Sequence, residues 1–493
     1  MLLVLLMLIL GWAGGGGYLL QRQMWMDEIH SWLLIQEPQT ERALQALADG
    51  VDYNPPSYIL LARQLHYLPG GITELRLRML SLAFMFLAIL AIFILLRRRF
   101  PPLVCVAAVL LMASSIHLIH QSAEMRFYSL WVAACAWLCV ALDVSEIEKP
   151  WQRRSCNVAA LVLAAVMTTS HYFGILTLGL ICLGAMLVPE LTPGRRLIVG
   201  IVAITGALCL VGCFPFLIVQ RAALSQATWV SPATLADSVG FLTAFIPVIP
   251  VMLCGLAFLI SLPGRGSARS SEQKITPVAS SVGHLAPCLI LALMPLLIIL
   301  LSWTIQPALV VRYAVTGVLG FGPLFAILLS LCSHRMQFVV VVVSSAIFLH
   351  SVTICSTQWS EVDDTREGLA IQLQQLPDDG PILFEDRTVS MPLLHSYPQL
   401  RSRCFLIDFA DDQLTGRSRL RSVQRDVGRR IERWYPEYAM SSLNSLRDES
   451  TFFVVPYIES ASVALHWPSE YRKTSISPRV DRYDRSGSQD RKQ

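Results

Sequence analysis

Successive apolar runs, each near the length of a bilayer-crossing helix, constrain this chain more than any other feature. Crossing the hydrocarbon core takes about 20 helical residues at roughly 1.5 Å each. Such runs fall near residues 2–20, 78–96, 101–119, 127–142, 156–170, 172–188, 197–219, 240–262, 284–303, 314–332 and 338–355. They predict a mainly α, polytopic membrane protein of about 11 transmembrane helices. Composition agrees, with 54% of the 493 residues hydrophobic and only 15% charged. A net charge of +4 without a dense basic run offers no nucleic-acid surface. The 12 cysteines lie mostly within apolar runs and form no C-x-x-C pair, so neither a disulfide framework nor a zinc knuckle is indicated. The first run, MLLVLLMLILGWAGGGGYLL, lacks a basic leading region and reads as an uncleaved first span.

Lys and Arg concentrate in cytoplasmic loops, which gives an orientation. Arg97–Arg99 follow the second run; Lys149, Arg153 and Arg154 the fourth; Arg195 and Arg196 the sixth. Arg265, Arg269 and Lys274 follow the eighth, and His334 with Arg335 the tenth. Every even-numbered exit is basic. The 21–76 loop, the 120–126 and 304–313 connections, the 171 turn and the 220–239 loop are therefore expected on the opposite, extracytoplasmic side, as is the C-terminus. The expected setting is a bacterial cytoplasmic (inner) membrane.

Composition changes near residue 357. PILFED (381–386), CFLIDFA (404–410) and TFFVVPYI (451–458) read as buried strands. DTREGLAIQLQQL (364–376) and SVQRDVGRRIERWY (422–435) read as amphipathic helices. The expected organisation is a membrane domain over 1–356, with a long first outer loop at 21–77, and a small extracytoplasmic α/β domain over 357–493. A polar, disordered tail is expected after about Pro478. The 263–282 stretch has linker composition. No internal repeat of fixed period is evident, which weakens an inverted-repeat transporter reading.

The residues able to carry chemistry collect at the outward edges. Asp27 and Glu28 open the first loop. An interfacial helix with an acidic N-terminus accounts for that pair, because the helix dipole favours it. The functional reading makes Asp27 a general base for an acceptor hydroxyl, with Glu28 positioning the acceptor or a cation. In DYNPPSY (52–58), two prolines stiffen the backbone and bias Asn54 towards an extended conformation. Pro-Pro often marks only a helix start, but Asp52, Asn54 and the flanking aromatics would also make a wall for a polar ligand. Glu124, Arg126 and Tyr128 stand two residues apart in HQSAEMRFYSL. Arginine offers a bidentate fork for phosphate, whereas snorkelling and an aromatic belt explain Arg and Tyr singly. Arg312 and Tyr313 repeat the pairing at another outward edge. His171 lies in the turn SHYFG, where a lone histidine is more often structural than ligating. Arg76 and Arg78 run against the charge rule and would suit an anionic headgroup. Acids on one loop and arginines on others fit a hydroxyl nucleophile and an anionic leaving group.

In these residues the chain resembles the GT-C superfamily of integral-membrane glycosyltransferases. It most resembles the bacterial branch of the dolichyl-phosphate-mannose protein mannosyltransferases, glycosyltransferase family 39, which has the lipid A aminoarabinose transferases as relatives. The matching pieces are DE at 27–28, D-x-x-PP-x-Y at 52–58, LRxRMLS at 75–81, E-x-R-x-Y at 124–128, HYFG at 171–174 and RY at 312–313. They follow the family's order over the first two-thirds of the chain. The resemblance implies a hexosyltransferase taking sugar from a polyprenyl-phosphate donor to a lipid, glycan or protein hydroxyl. Asp27 would be the catalytic aspartate, and Arg126, Tyr128, Arg312 and Arg76 would hold the lipid phosphate. Transfer would invert the anomeric centre by direct displacement. The chain departs from many relatives in having Asn54 where they carry His or Lys before the prolines. It also has Tyr53 where the aminoarabinose branch carries Glu, so that branch's metal site does not transfer. Asp52 is the residue that would substitute for that Glu in holding a divalent metal. A flippase for lipid-linked sugar and a catalytically degenerate envelope scaffold are the competing classes; a flippase predicts charges at mid-span.

Overall fold

The computed structural model describes residues 11–143, 149–188, 192–224, 233–261, 283–305, 307–378, 380–384, 387–407, 429–436, 442–443, 451–455, 471–477 and 479–485. Its contacts divide the chain into two units. The first comprises Met1–Gln21, Asn54–Leu217 and Val230–Gln358; the second comprises Arg22–Tyr53, Ile218–Trp229 and Trp359–Gln493.

The first unit is a bundle of apolar helices. Among the described residues, five helices are long and apolar enough to cross a bilayer: Glu74–Arg97, Pro193–Gly212, Gly283–Thr304, Val311–Ser330 and His334–Gln374. Two bent pairs bring the number to seven: Pro102–Ala113 with Ile116–Ser122, bent by 73°, and Leu235–Phe245 with Val248–Ser261, bent by 60°. The second bend has a local cause. Pro247 forces Ile246 into an extended conformation (ψ 124°) and ends the preceding helix. Three further expected spans are helices too short or too polar for that test: Tyr128–Leu142, Pro150–Ser170 and Gly174–Met186. Most of the first expected span lies outside the described residues. So does the 263–282 stretch.

Burial separates inner helices from outer ones. Tyr128–Leu142 is buried along nearly its whole length and packs between Glu74–Arg97 and Pro150–Ser170. Pro193–Gly212 instead exposes Leu197, Ile201, Ile204, Leu208 and Val211. Those positions recur every three or four residues and form one apolar stripe along the helix. A stripe of this kind on an outer helix is a lipid face, and the chain is a multi-pass membrane protein.

Arginines from the exits after the second, fourth and sixth runs lie near Asp143. Arg98 and Arg99 both pair with Asp143 at the end of Tyr128–Leu142, the former at 3.0 Å. Arg195 lies within electrostatic range of Asp143 and Arg153. Burial works to raise the Asp143 carboxyl, but the two guanidiniums outweigh it and hold the group below the ordinary carboxylate range.

The second unit carries a six-stranded mixed sheet. Its strands are β1 (Ile382–Phe384), β2 (Cys404–Ile407), β3 (Ser442–Leu443), β4 (Thr451–Val455), β5 (Tyr471–Ser477) and β6 (Val480–Arg485), in the order β3-β2-β1-β4-β6-β5. The β3-β2-β1-β4 half is parallel, with Ile382 opposite Cys404 on one side and Phe453 on the other. The hairpin β5–β6 adds antiparallel to β4. A core of Leu369, Leu373, Ile382, Phe384, Leu393, Phe453, Val455 and Val480 packs helix against sheet. The three apolar runs read as strands are β1, β2 and β4. Residues 385–386, 408–410 and 456–458 of those runs lie outside the described residues, as do 422–428 of the 422–435 stretch, of which 429–434 is helical.

One expectation is corrected. The tail does not begin at Pro478: residues 480–485 form β6, paired on both edges. Val480 and Tyr483 are buried, while Asp481 is neutralised by Lys473 at 2.7 Å and Asp484 by Arg482 at 3.0 Å. The Lys473–Asp481 pair crosses from β5 to β6 and the Arg482–Asp484 pair lies along β6; such pairing lets a polar sequence serve as a strand. The helix expected at 364–376 is the end of His334–Gln374, which continues unbroken across residue 357. No Gly or Pro interrupts residues 334–367.

Candidate active site

In the first unit, three connections bring arginine and aromatic side chains together. The helix Tyr128–Leu142 starts immediately after Glu124–Phe127, and Ser129 Oγ donates to the Gln121 carbonyl at 2.8 Å, closing that turn. Gln121 Nε2 donates to Glu124 Oε1 at 3.3 Å. Arg126 is buried, its guanidinium 5.4 Å from the Phe127 ring centre and 5.8 Å from that of Tyr128. The His171 ring stacks on Phe127 and on Trp131, both at 4.7 Å. Tyr313 stands 5.5 Å from His171 and 4.9 Å from Phe173. Glu124, Arg126, Tyr128, His171, Arg312 and Tyr313, distant in sequence, thus share one neighbourhood.

Its electrostatics are cationic. Burial first, then the charges of Arg126 and Arg312, hold His171 well below the ordinary histidine value. Its Nδ1 accepts from the Phe173 N–H at 3.2 Å, which leaves the ring proton on Nε2. A neutral imidazole and two guanidiniums, with Glu124 as the carboxylate of the set, suit a singly charged anion. The His171 turn is sterically fixed. The Gly174 N–H donates to the His171 carbonyl at 2.8 Å, and a β-carbon on Gly174 would lie 2.2 Å from the Met167 carbonyl oxygen.

The Pro-Pro turn is tied to the same helix end. Ser57, first residue of the helix Ser57–Arg63, donates from Oγ to Thr169 Oγ1 at 2.6 Å, two residues before His171. Asn54 is buried just ahead of the prolines. Arg76 is placed differently. Its Nη1 donates to the Gly71 carbonyl at 2.5 Å, at the start of Glu74–Arg97, where it closes the Gly70–Gly71 turn.

In the second unit, Asp27 and Glu28 occupy the first turn of the helix Met26–Gln36. Asp27 is half-buried, whereas Glu28 is wholly buried and paired with Arg22 at 2.8 Å. Asp52 accepts from Ser31 Oγ at 2.8 Å and from the Tyr53 N–H at 2.8 Å. Ser31 is four residues after Asp27, so Asp52 is hydrogen-bonded on the helix face that carries Asp27. Gln220 Nε2 donates to the carbonyls of Leu47 and Asp52, at 3.0 and 3.1 Å. The other end of this segment is held at Asp49, whose carbonyl accepts from Arg430 at 2.7 Å and whose carboxylate accepts from Trp434 at 2.8 Å. Gly50, at φ +91°, leaves room for Arg430, which would stand 2.2 Å from a β-carbon there.

Sequence reading missed Phe127, Trp131 and Phe173, which frame His171, and Arg22, Ser31 and Gln220, which hold the acidic loop. Phe127 and Phe173 lie inside motifs already singled out, so adjacency was a usable signal. Gln220 carries none. Among the described residues, no group of three or more His, Cys, Asp or Glu converges as a metal cluster.

No protein-family model matches the chain, and no curated protein does. Its fold matches the crystal structure of ArnT from Cupriavidus metallidurans bound to undecaprenyl phosphate, with a TM-score of 0.58 and 12% identity over 99% of this chain and 98% of that one. The apo structure of ArnT from the same organism overlays with a TM-score of 0.46, also with 12% identity, over 98% of this chain and 97% of that one. The chain therefore has the GT-C fold with a small sheet domain near its C-terminus.

Proposed function

We propose that this protein is a membrane glycosyltransferase that moves a sugar from a polyprenyl-phosphate donor to a hydroxyl acceptor. The observation that carries the reading is the convergence of Arg126, Arg312, Tyr128 and Tyr313 around a neutral His171. A phosphodiester carries one negative charge and several acceptor oxygens, which two guanidiniums and two phenols match. Support also comes from the fold shared with ArnT, whose structure was determined with undecaprenyl phosphate bound.

Transfer runs as a single displacement with inversion. The acceptor oxygen forms a bond to the anomeric carbon and gives its proton to Asp27. The bond from that carbon to the phosphate oxygen breaks, and the electron pair leaves with the polyprenyl phosphate. Arg126 and Arg312 stabilise the charge growing on the departing phosphate. Asp27 lies in the first turn of its helix, where the helix dipole favours a carboxylate. The acceptor is a lipid, glycan or protein hydroxyl. The charge pattern of the connections supports an extracytoplasmic reaction in a bacterial inner membrane, where lipid-linked rather than nucleotide-linked sugar is at hand. The ordered motifs support family 39, with mannose one candidate sugar among several. Arg76, which donates from Nη1 to the Gly71 carbonyl, is proposed as a further phosphate ligand.

The test is to incubate purified protein with a panel of polyprenyl-phosphate sugars and extracted envelope fractions, and to identify products by mass spectrometry. A new glycoconjugate appearing with one donor is the expected result. Transbilayer movement of donor without any product would instead favour a flippase.

A further inference from the structure

Glu28, adjacent to the proposed base, is fully buried and paired with Arg22 at 2.8 Å. We propose that Glu28, Arg22, Trp359, Asp363 and Arg366 form a positioning frame that fixes the first turn of the helix carrying Asp27. This rests on the reading of Asp27 as the base.

Three consecutive backbone positions before the helix are each held by a charged side chain. The Gln23 N–H donates to Asp363 Oδ2 at 2.9 Å, the Met24 carbonyl accepts from Arg366 Nη1 at 3.3 Å, and the Trp25 N–H donates to Glu28 Oε2 at 3.3 Å. The last of these satisfies an amide just outside the helix, in the manner of a capping residue at its third position. Glu28 Oε2 also pairs with Arg22 Nη1 at 2.8 Å, and the two side chains are 0% and 1% exposed. The Arg22 guanidinium lies 3.9 Å from the Trp359 ring centre. Trp359, Asp363 and Arg366 stand four and three residues apart, on one face of His334–Gln374. Asp363 and Arg366 are themselves 3.6 Å apart.

Desolvating an ion pair costs about as much as the pairing returns, so an apolar pair would serve stability equally well. What a buried pair adds is one allowed geometry. Successive helical residues point about 100° apart. Locking Glu28 inward therefore locks the direction of Asp27. A carboxylate that must take a proton from an attacking oxygen needs that definition, because a displacement of about 1 Å can cost about 100-fold in rate.

The experiment uses the full-length protein and compares Glu28→Gln, Arg366→Met and Asp27→Asn with the parent. Amide hydrogen exchange over residues 22–30, undecaprenyl phosphate binding and steady-state transfer are measured on each, with rates normalised to the fraction that binds undecaprenyl phosphate. Glu28→Gln and Arg366→Met are expected to speed exchange over 22–30 and to lower kcat about 10- to 100-fold. Donor KM and undecaprenyl phosphate affinity should stay within about twofold, the signature of an interaction that acts on the transition state. Parent-like kcat in both variants, or unaltered exchange, would overturn the frame. If Glu28→Gln does not fold, Arg366→Met, which is less buried, decides alone. Should Asp27→Asn keep the parent rate, the assigned base falls. Should it be inactive while the other two turn over like the parent, only the frame falls.

Discussion

Arg126 illustrates how much a single side chain is asked to do. It is buried beside two aromatic rings, and its charge reaches both His171 and Tyr128. A charge-assisted hydrogen bond to a phosphate contributes about 1.5–3 kcal/mol. Arg126→Ala is accordingly expected to weaken undecaprenyl phosphate binding roughly 10- to 150-fold by titration calorimetry. Arg126→Lys should recover only part of the loss, because lysine keeps the charge but not the planar fork. Equal binding by all three proteins would remove Arg126 from the donor site. His171 leads to a second prediction, in pH. Burial and the two arginines lower its folded value below the unfolded 6.5. As pH falls through 6.5, the unfolded chain takes up a proton that the folded chain refuses, so this residue makes stability fall. Above that value its contribution is flat. His171→Phe should shallow the acid side of the stability curve, and an unchanged slope would mean that His171 is protonated in the fold.

Elements succeed or fail by whether their determinants are local. The bundle was readable because each helix needs only an apolar run of sufficient length, and β1, β2 and β4 because buried strands are apolar throughout. By contrast β6, VDRYDR, looks like a tail until Lys473 on β5 pairs diagonally with Asp481 and Thr451 donates to Asp484 at 2.9 Å. The same holds for the site. E-x-R-x-Y, HYFG and RY each mark a local turn or helix start, so the cationic cluster could be anticipated from its parts. The role of Glu28 could not, because Trp359, Asp363 and Arg366 lie more than 300 residues away and nothing in the first loop names them. Gly174 is the element-scale test. A β-carbon there would collide with the Met167 carbonyl, and backbone does not yield as a flexible side chain does. Gly174→Ala is expected to destabilise by about 1–3 kcal/mol and to weaken undecaprenyl phosphate binding by displacing His171. Thermal unfolding and calorimetry read the two effects, and parent-like values in both would show that the turn is slack.

At the scale of the molecule, the proposed donor ligands and the proposed base lie in different stretches of the chain. The cations proposed to hold the donor phosphate, Arg126 and Arg312, belong to the unit of apolar helices. The proposed base, Asp27, belongs with the sheet, on a segment whose ends are hydrogen-bonded to residues after 358. Donor retention and proton removal should therefore separate on mutation. The most direct test is Asp27→Asn, assayed for undecaprenyl phosphate binding and for sugar transfer with the donor that the panel identifies. The amide cannot accept the acceptor's proton, so transfer is expected to drop about 100- to 10,000-fold while binding stays at the parent level. Transfer by Asp27→Asn at the parent rate would contradict the account.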